Sequence, residues 1–262
     1  MKLLLITSIL FFLSANLFGQ TIQEIENELQ QAYKRILSDR FDADTIAWDN
    51  LESDNRLFRE KMLRYTSNYP LTLTYNFDSL TKAIYIVTSD DNLLRIYSWD
   101  TRLGGTMHDF ENIYQFKSAN NIYANVKRDT ALDGEENYVP YYSQLFTLKE
   151  KDRTYYLAIN NGIYSTKDIS QSIKAFTIEN NKLNDTIKIF KTKTELLNEI
   201  SINLDFFSVV DRPERPLELI KYDAENKIIY IPIVYENGEV TDRYLLYQFN
   251  GQYFEHIMTQ KK

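Results

Sequence analysis

The hydrophobic period of the chain changes once, near Pro70, and that change limits the folds open to it. From Thr21 onward, Ile22, Ile25, Leu29, Tyr33, Ile36 and Leu37 recur at three- and four-residue intervals, which places them on one face of a helix reaching about Ser38. Thr21 and Glu24 stand three apart at its start, the spacing of a capping box. A second stripe of Leu57, Phe58, Met62 and Tyr65 predicts another helix over residues 53–65, with Pro70 closing the segment. Beyond Pro70 the period is two. Leu71, Leu73, Tyr75 and Phe77 alternate with polar residues, 84–87 is a short apolar run, and 93–99 follows the turn-forming stretch 89–92. Together these predict a three-stranded meander.

Similar units recur downstream at 144–148 with 155–159, and at 217–222, 228–235 and 244–249. Asn237-Gly238 and Asn250-Gly251 carry hairpin-turn chemistry, because glycine supplies the positive φ such turns need. Residues 75–99 and 222–249 share a plan of strand, polar turn, Tyr-centred strand, polar turn and a strand opening with Arg. The expected fold is therefore mainly β with N-terminal helices, an α+β chain of antiparallel β-meanders that are propeller-like or stacked as sheets. One further short helix is expected at 192–202, where Thr192 and Glu195 repeat the capping-box spacing and Leu196, Leu197 and Ile200 give an apolar face. Two of the five prolines fall in 211–216, which reads as an extended surface connection.

Composition agrees with a pleated, aromatic interior. There are 20 Tyr and 15 Phe beside only 7 Gly and 5 Pro, and aromatic rings pack well on cross-strand neighbours. No cysteine is present, so stability must come from an ordinary core rather than from disulfides.

Residues 1–19 have the parts of a cleavable secretory signal peptide: a positive charge at Lys2, an apolar run over 3–13, and a polar-to-small exit ending in Phe18-Gly19. The run is shorter than the roughly 20 apolar residues of a membrane span, so no membrane insertion is expected after cleavage. Lipid attachment would need a cysteine after the cut. The expected organisation is a leader over 1–19, a helical segment over 20–70, and an antiparallel β-rich domain over 71–262. The formal net charge is −7, and one unit more negative once Lys2 leaves with the leader, which disfavours nucleic acid and anionic lipid as partners.

Signatures of catalysis are few. The two histidines, His108 and His256, are not at metal-ligand spacing, so neither a metal nor another cofactor is expected. The acidic stretch 129–136 resembles half of a calcium loop, but Ala131 and Pro140 stand where oxygen ligands are required. Neither a Gly-x-Ser-x-Gly elbow nor a glycine-rich phosphate loop occurs. Four Asp-Ser/Thr-apolar triplets, at 44–46, 78–80, 129–131 and 185–187, match the short acceptor pattern for O-glycans on exported Bacteroidota proteins.

The locally unusual stretch is 97–109, Tyr-Ser-Trp-Asp-Thr-Arg-Leu-Gly-Gly-Thr-Met-His-Asp. It gathers one of two Trp, one of two His and two of seven Gly. Trp99, Asp100, Arg102, Gly104, Gly105 and His108 are therefore the candidate ligand-binding residues: Trp99 as a stacking platform, the glycines for close backbone approach, the others as hydrogen-bonding groups. The alternative is a hairpin with Trp99 in the core and His108 at the surface.

With the leader ending Phe18-Gly19-Gln20 and the run from Arg95 through Trp99 to His108, the chain resembles the uncharacterised exported proteins of Bacteroidota. That resemblance implies a location, periplasmic or extracellular, and no activity. The expected function is a non-catalytic binding or interaction protein of the envelope, taking a glycan, a peptide or a protein. The alternative is a carboxylate-dependent hydrolase such as a glycosidase, using Asp100 and Asp109 near Trp99.

Overall fold

The protein is described by a computed structural model over residues 20–38, 48–126 and 139–261. The expected leader, the acidic stretch 129–136 and the triplets at 44–46 and 129–131 lie outside the described residues.

The N-terminal helix α1 (Ile22–Ser38) begins as the local signal requires. Thr21 N donates to Glu24 Oε2 at 2.8 Å and Glu24 N donates to Thr21 Oγ1 at 3.2 Å, so the reciprocal cap forms. Helix α2 (Trp48–Asn68) is longer than the apolar stripe alone predicts. Arg35 pairs with Asp54 at 2.6 Å, and Lys61 pairs with Glu28, so the helices run antiparallel. Neither helix is long and apolar enough to cross a membrane.

Among the described residues, fifteen strands follow. The first sheet is β1 (Tyr85–Thr88), β2 (Leu94–Asp100), β3 (Phe110–Ser118) and β4 (Asn121–Val126), in sequential antiparallel order. Next come β5 (Tyr141–Glu150), β6 (Arg153–Ile163), β7 (Asp168–Glu179), β8 (Lys182–Asn184), β9 (Phe190–Lys191), β10 (Leu196–Leu197) and β11 (Glu199–Asp205). The chain closes with β12 (Lys221–Asp223), β13 (Ile228–Val234), β14 (Val240–Phe249) and β15 (Phe254–Lys261). The second sheet has the order β11-β7-β6-β5, with β8 paired to β7, and the third has β10-β9-β15-β14-β13-β12. All pairings are antiparallel except β15 with β9. One sheet curls strongly into a half-barrel, and the whole is α+β, with the sheets stacked.

Side-chain alternation assigns the layers. On β2 the odd residues Tyr97 and Trp99 meet Phe58 and Met62 of the helices, while the even residues Leu94 and Ile96 meet Tyr156 and Phe176 of the second sheet. On β6 and β7 the opposite face carries Leu157, Ile159, Ile173 and Ala175 against Ile229, Tyr247 and Phe254 of the third sheet. The stack therefore reads helices, first sheet, second sheet, third sheet. Most of the tyrosines go into these interfaces, as the composition leads one to expect.

Two local expectations are corrected. Residues 71–77 are not a strand: Pro70–Leu73 is a 3-10 turn, and Leu71 is 67% exposed beside a fully buried Thr72. The backbone groups that a strand would pair are taken by side chains from elsewhere. Arg95 Nη1 donates to Thr72 O at 2.8 Å and to Tyr75 O at 2.6 Å, and Glu26 accepts from Ser79 N at 2.7 Å and Leu80 N at 3.0 Å.

Residues 192–202 are not a helix either. Thr192 and Glu195 close the turn between β9 and β10, with Thr192 N donating to Glu195 O at 2.9 Å and Glu195 N to Thr192 Oγ1 at 3.0 Å. The same Thr-x-x-Glu spacing serves a turn when the flanking residues find strand partners, here Phe190 and Lys191, and then Asp168 to Lys174 of β7 for the residues after Asn198.

Candidate functional site

Trp99 and Asp100 are consecutive on β2 and so face opposite ways. Trp99 is fully buried on the helix side, its ring edge-on to Phe58 at 5.0 Å and its Nε1 donating to Asn55 Oδ1 at 3.3 Å. It belongs to the core and offers no stacking platform to a ligand, which corrects its assignment as a binding residue. Asp100 points to the other side.

The loop after β2 is tied at its base, where Thr101 N and Thr101 Oγ1 both donate to Asp109 O, at 2.9 and 2.8 Å. Within it Arg102 takes φ +63° and donates its N–H to Asp100 Oδ1 at 2.8 Å. A Cβ on Gly104 would stand 1.9 Å from Met107 O, so only glycine permits that close turn, while Gly105 adopts φ +65° in open space. The loop returns through His108, whose N–H donates to Ile163 O at 3.0 Å and joins the loop to β6.

Asp100, Arg102 and His108 are thereby brought together. His108 Nδ1 lies 2.7 Å from Asp100 Oδ2, and Arg102 Nε lies 3.6 Å from the same oxygen. Tyr33 of α1 donates to Asp100 O at 3.4 Å, and burial, then the Asp100 charge, pushes its phenol up to about 12. Among the described residues, no hydroxyl lies at hydrogen-bonding distance of His108 Nε2, so the Asp-His pair is not extended into a nucleophile triad.

His108 and Gly105 look into a cleft of about 780 Å³. One wall is aromatic. Tyr85 and Tyr141 stack at 4.1 Å between ring centres, and Phe110, packed on Tyr141 at 4.8 Å, lies 6.2 Å from the His108 ring. Burial raises both phenols, so they stay protonated and serve as neutral hydrogen-bonding groups. The facing wall is aliphatic: Ile163 and Ile169 flank the β6–β7 turn, Leu204 lies on β11 and Phe206 just after it, and Pro216, Leu217 and Leu219 come from the segment before β12.

The polar groups on the cleft floor are already paired. Gln171 Nε2 donates to Asn161 Oδ1 at 2.8 Å and to Leu217 O at 2.7 Å, while its Oε1 accepts from Leu219 N at 3.0 Å and Ile220 N at 2.7 Å. Arg215 at the rim lies over Phe206 at 5.5 Å and donates to the carbonyls of Arg212, Glu214 and Val210. Neither Asp100 nor Asp109 is among the lining residues, and no described carboxylate is. Such a surface excludes water from an apolar guest and offers hydrogen bonds only at its mouth.

Of the six residues singled out in the sequence, Gly105 and His108 line the cleft, Asp100 holds His108, Arg102 pairs with Asp100, Gly104 shapes the loop, and Trp99 lies elsewhere. The aliphatic wall had no local signal. Its members sit on ordinary strand alternation, and only the proline-rich 211–216 segment was unusual enough to mark. No protein-family model matches the chain, and no curated protein matches it.

Proposed function

We propose that the protein is a non-catalytic binding protein, exported to the periplasm or beyond, that takes an apolar group of a peptide or protein ligand into the cleft between Tyr85, His108 and the Ile163–Leu219 wall. The observation that carries this reading is an aliphatic and aromatic cleft of about 780 Å³ whose floor polar groups are mutually hydrogen-bonded. A sugar placed there would lose its hydroxyl–water bonds with little in return, whereas a bulky apolar side chain gains from leaving water. Among the ligand classes open to such a chain, a peptide with Leu, Phe or Trp therefore fits best. At the mouth, His108, Arg215 and the Tyr85 hydroxyl are placed to meet backbone carbonyls or a carboxylate.

The leader and the resemblance to exported Bacteroidota proteins support the location. A carboxylate-based hydrolase gains no support, because no described acid lines the cleft. The test is a peptide array followed by titration calorimetry with wild type and Ile169→Asp, which sets a charge on the half-buried aliphatic wall. Apolar peptides should bind wild type and lose at least tenfold in affinity on that change. Absence of apolar hits, or hits indifferent to Ile169→Asp, would refute the assignment.

A further inference from the structure

A second cavity, of about 230 Å³, lies between the first and second sheets and differs in character from the apolar cleft. Asn112 of β3, Asn160 of β6, Ser172 and Lys174 of β7, and Glu199 of β11 contribute polar side chains to it. Asn112 is 1% exposed. Its Nδ2 donates to Pro140 O at 2.9 Å, which fixes the amide, and its Oδ1 has no hydrogen-bond partner.

Lys174 presents the complementary deficit. Its side chain is 13% exposed, and its ammonium stands 3.8 Å from both Asp185 and Glu199. That is ion-pair range but too long for a hydrogen bond, and no hydrogen bond from Nζ to a described residue replaces it. Glu199 itself accepts from Asn160 Nδ2 at 2.9 Å. A buried acceptor without a partner, Asn112 Oδ1, and a half-buried ammonium held only at ion-pair distance thus face one space.

The space exceeds what two bridging waters need, since at about 30 Å³ per molecule it holds roughly seven. Charge narrows the guest. An anion would meet Asp185 and Glu199, and a cation would meet Lys174. A neutral molecule bearing several hydroxyls, each able to donate and accept, answers both deficits at once. The rings of Tyr114 and Tyr142 also border the cavity and offer apolar faces to the C–H side of a sugar.

We propose that this cavity binds a neutral polyhydroxylated ligand about the size of one sugar ring, one hydroxyl accepting from Lys174 Nζ and another donating to Asn112 Oδ1. The site shares only Ser170 with the lining of the apolar cleft. Its test is ligand-observed NMR and calorimetry on the full protein with glucose, galactose, mannose, xylose and myo-inositol, with acetate and glycine as charged controls. At least one neutral compound should bind saturably, move the amide resonances of Asn112, Lys174 and Glu199, and weaken at least tenfold in Asn112→Leu and in Lys174→Met. Ile169→Asp in the apolar cleft should leave that binding unchanged. The proposal is overturned if no neutral compound binds wild type, if the shifted resonances lie elsewhere, or if folded variants bind as well as wild type. The wild-type resonances decide the matter even where a variant does not fold.

Discussion

Glu26 shows how much one side chain settles in this molecule. It is buried on α1, and its carboxylate accepts from Ser79 N, Leu80 N and, at 2.9 Å, the Tyr75 hydroxyl. Glu26→Ala strands two backbone N–H groups and should cost about 3 kcal/mol in urea denaturation. Glu28, two residues on, behaves differently because it is half-exposed. Lys61 first, then Tyr65 and Gln20, hydrogen-bond its carboxylate and hold it near 2 instead of the ordinary 4.5. A carboxyl depressed in the folded state stabilises above its unfolded value and loses that contribution as pH falls. Glu28→Gln should therefore cost about 1 kcal/mol at pH 7, after allowing for solvent screening. The difference from wild type should shrink between pH 4.5 and about 2, as followed by thermal melts. The Thr21–Glu24 cap was legible in the sequence because all its parts lie within four residues. Glu26 was not, because its partners lie about fifty residues on.

At the scale of elements, the loop between β2 and β3 separates two kinds of glycine. Gly104→Ala forces backbone away from backbone, since the new Cβ would lie 1.9 Å from Met107 O. It should cost about 3 kcal/mol and displace His108 from Asp100, visible as a shift in the His108 ring resonances. Gly105→Ala meets no neighbour and bears only its φ of +65°, a cost of about 1 kcal/mol by the same melt. Strands β5, β6, β13 and β14 were readable because alternation and turn chemistry agree there, as at Gly238 with φ +85° and, just after β14, Gly251 with φ +98°. The segments 71–77 and 192–202 were misread because their patterns fit two local structures, and remote partners chose between them. Arg95 and Glu26 made the first a turn; β7 made the second a strand.

At the scale of the whole molecule, Gln171 joins layers. Three of its four hydrogen bonds bind the second sheet to the 217–220 segment, which also contributes to the aliphatic wall of the cleft, and the fourth holds Asn161 of the same sheet. Gln171→Leu leaves Leu219 and Ile220 N–H groups unpaired, so it should cost about 4 kcal/mol. It should also weaken apolar-peptide binding in molecules still folded, measured by calorimetry below the melting range. The α+β class and stacked meanders were legible from periodicity. Which strand faces pair across the stack was not, because alternation marks two faces without naming their partners. For that reason the candidate stretch marked the loop that reaches the cleft but named the buried Trp99 in place of Tyr85 and Tyr141.

Trp99 has a use that follows from its burial. The chain holds two tryptophans, and Trp48→Phe would leave one indole, locked between α2 and the first sheet against Phe58 and Asn55. Its emission should be short in wavelength and indifferent to a guest in the cleft, which lies on the other face of β2. A red shift would then time the departure of the helices alone, while far-ultraviolet dichroism near 217 nm follows the sheets, roughly the usual strand band. Two optical signals would thus tell whether the helical layer and the β-stack come apart as one cooperative unit or as two.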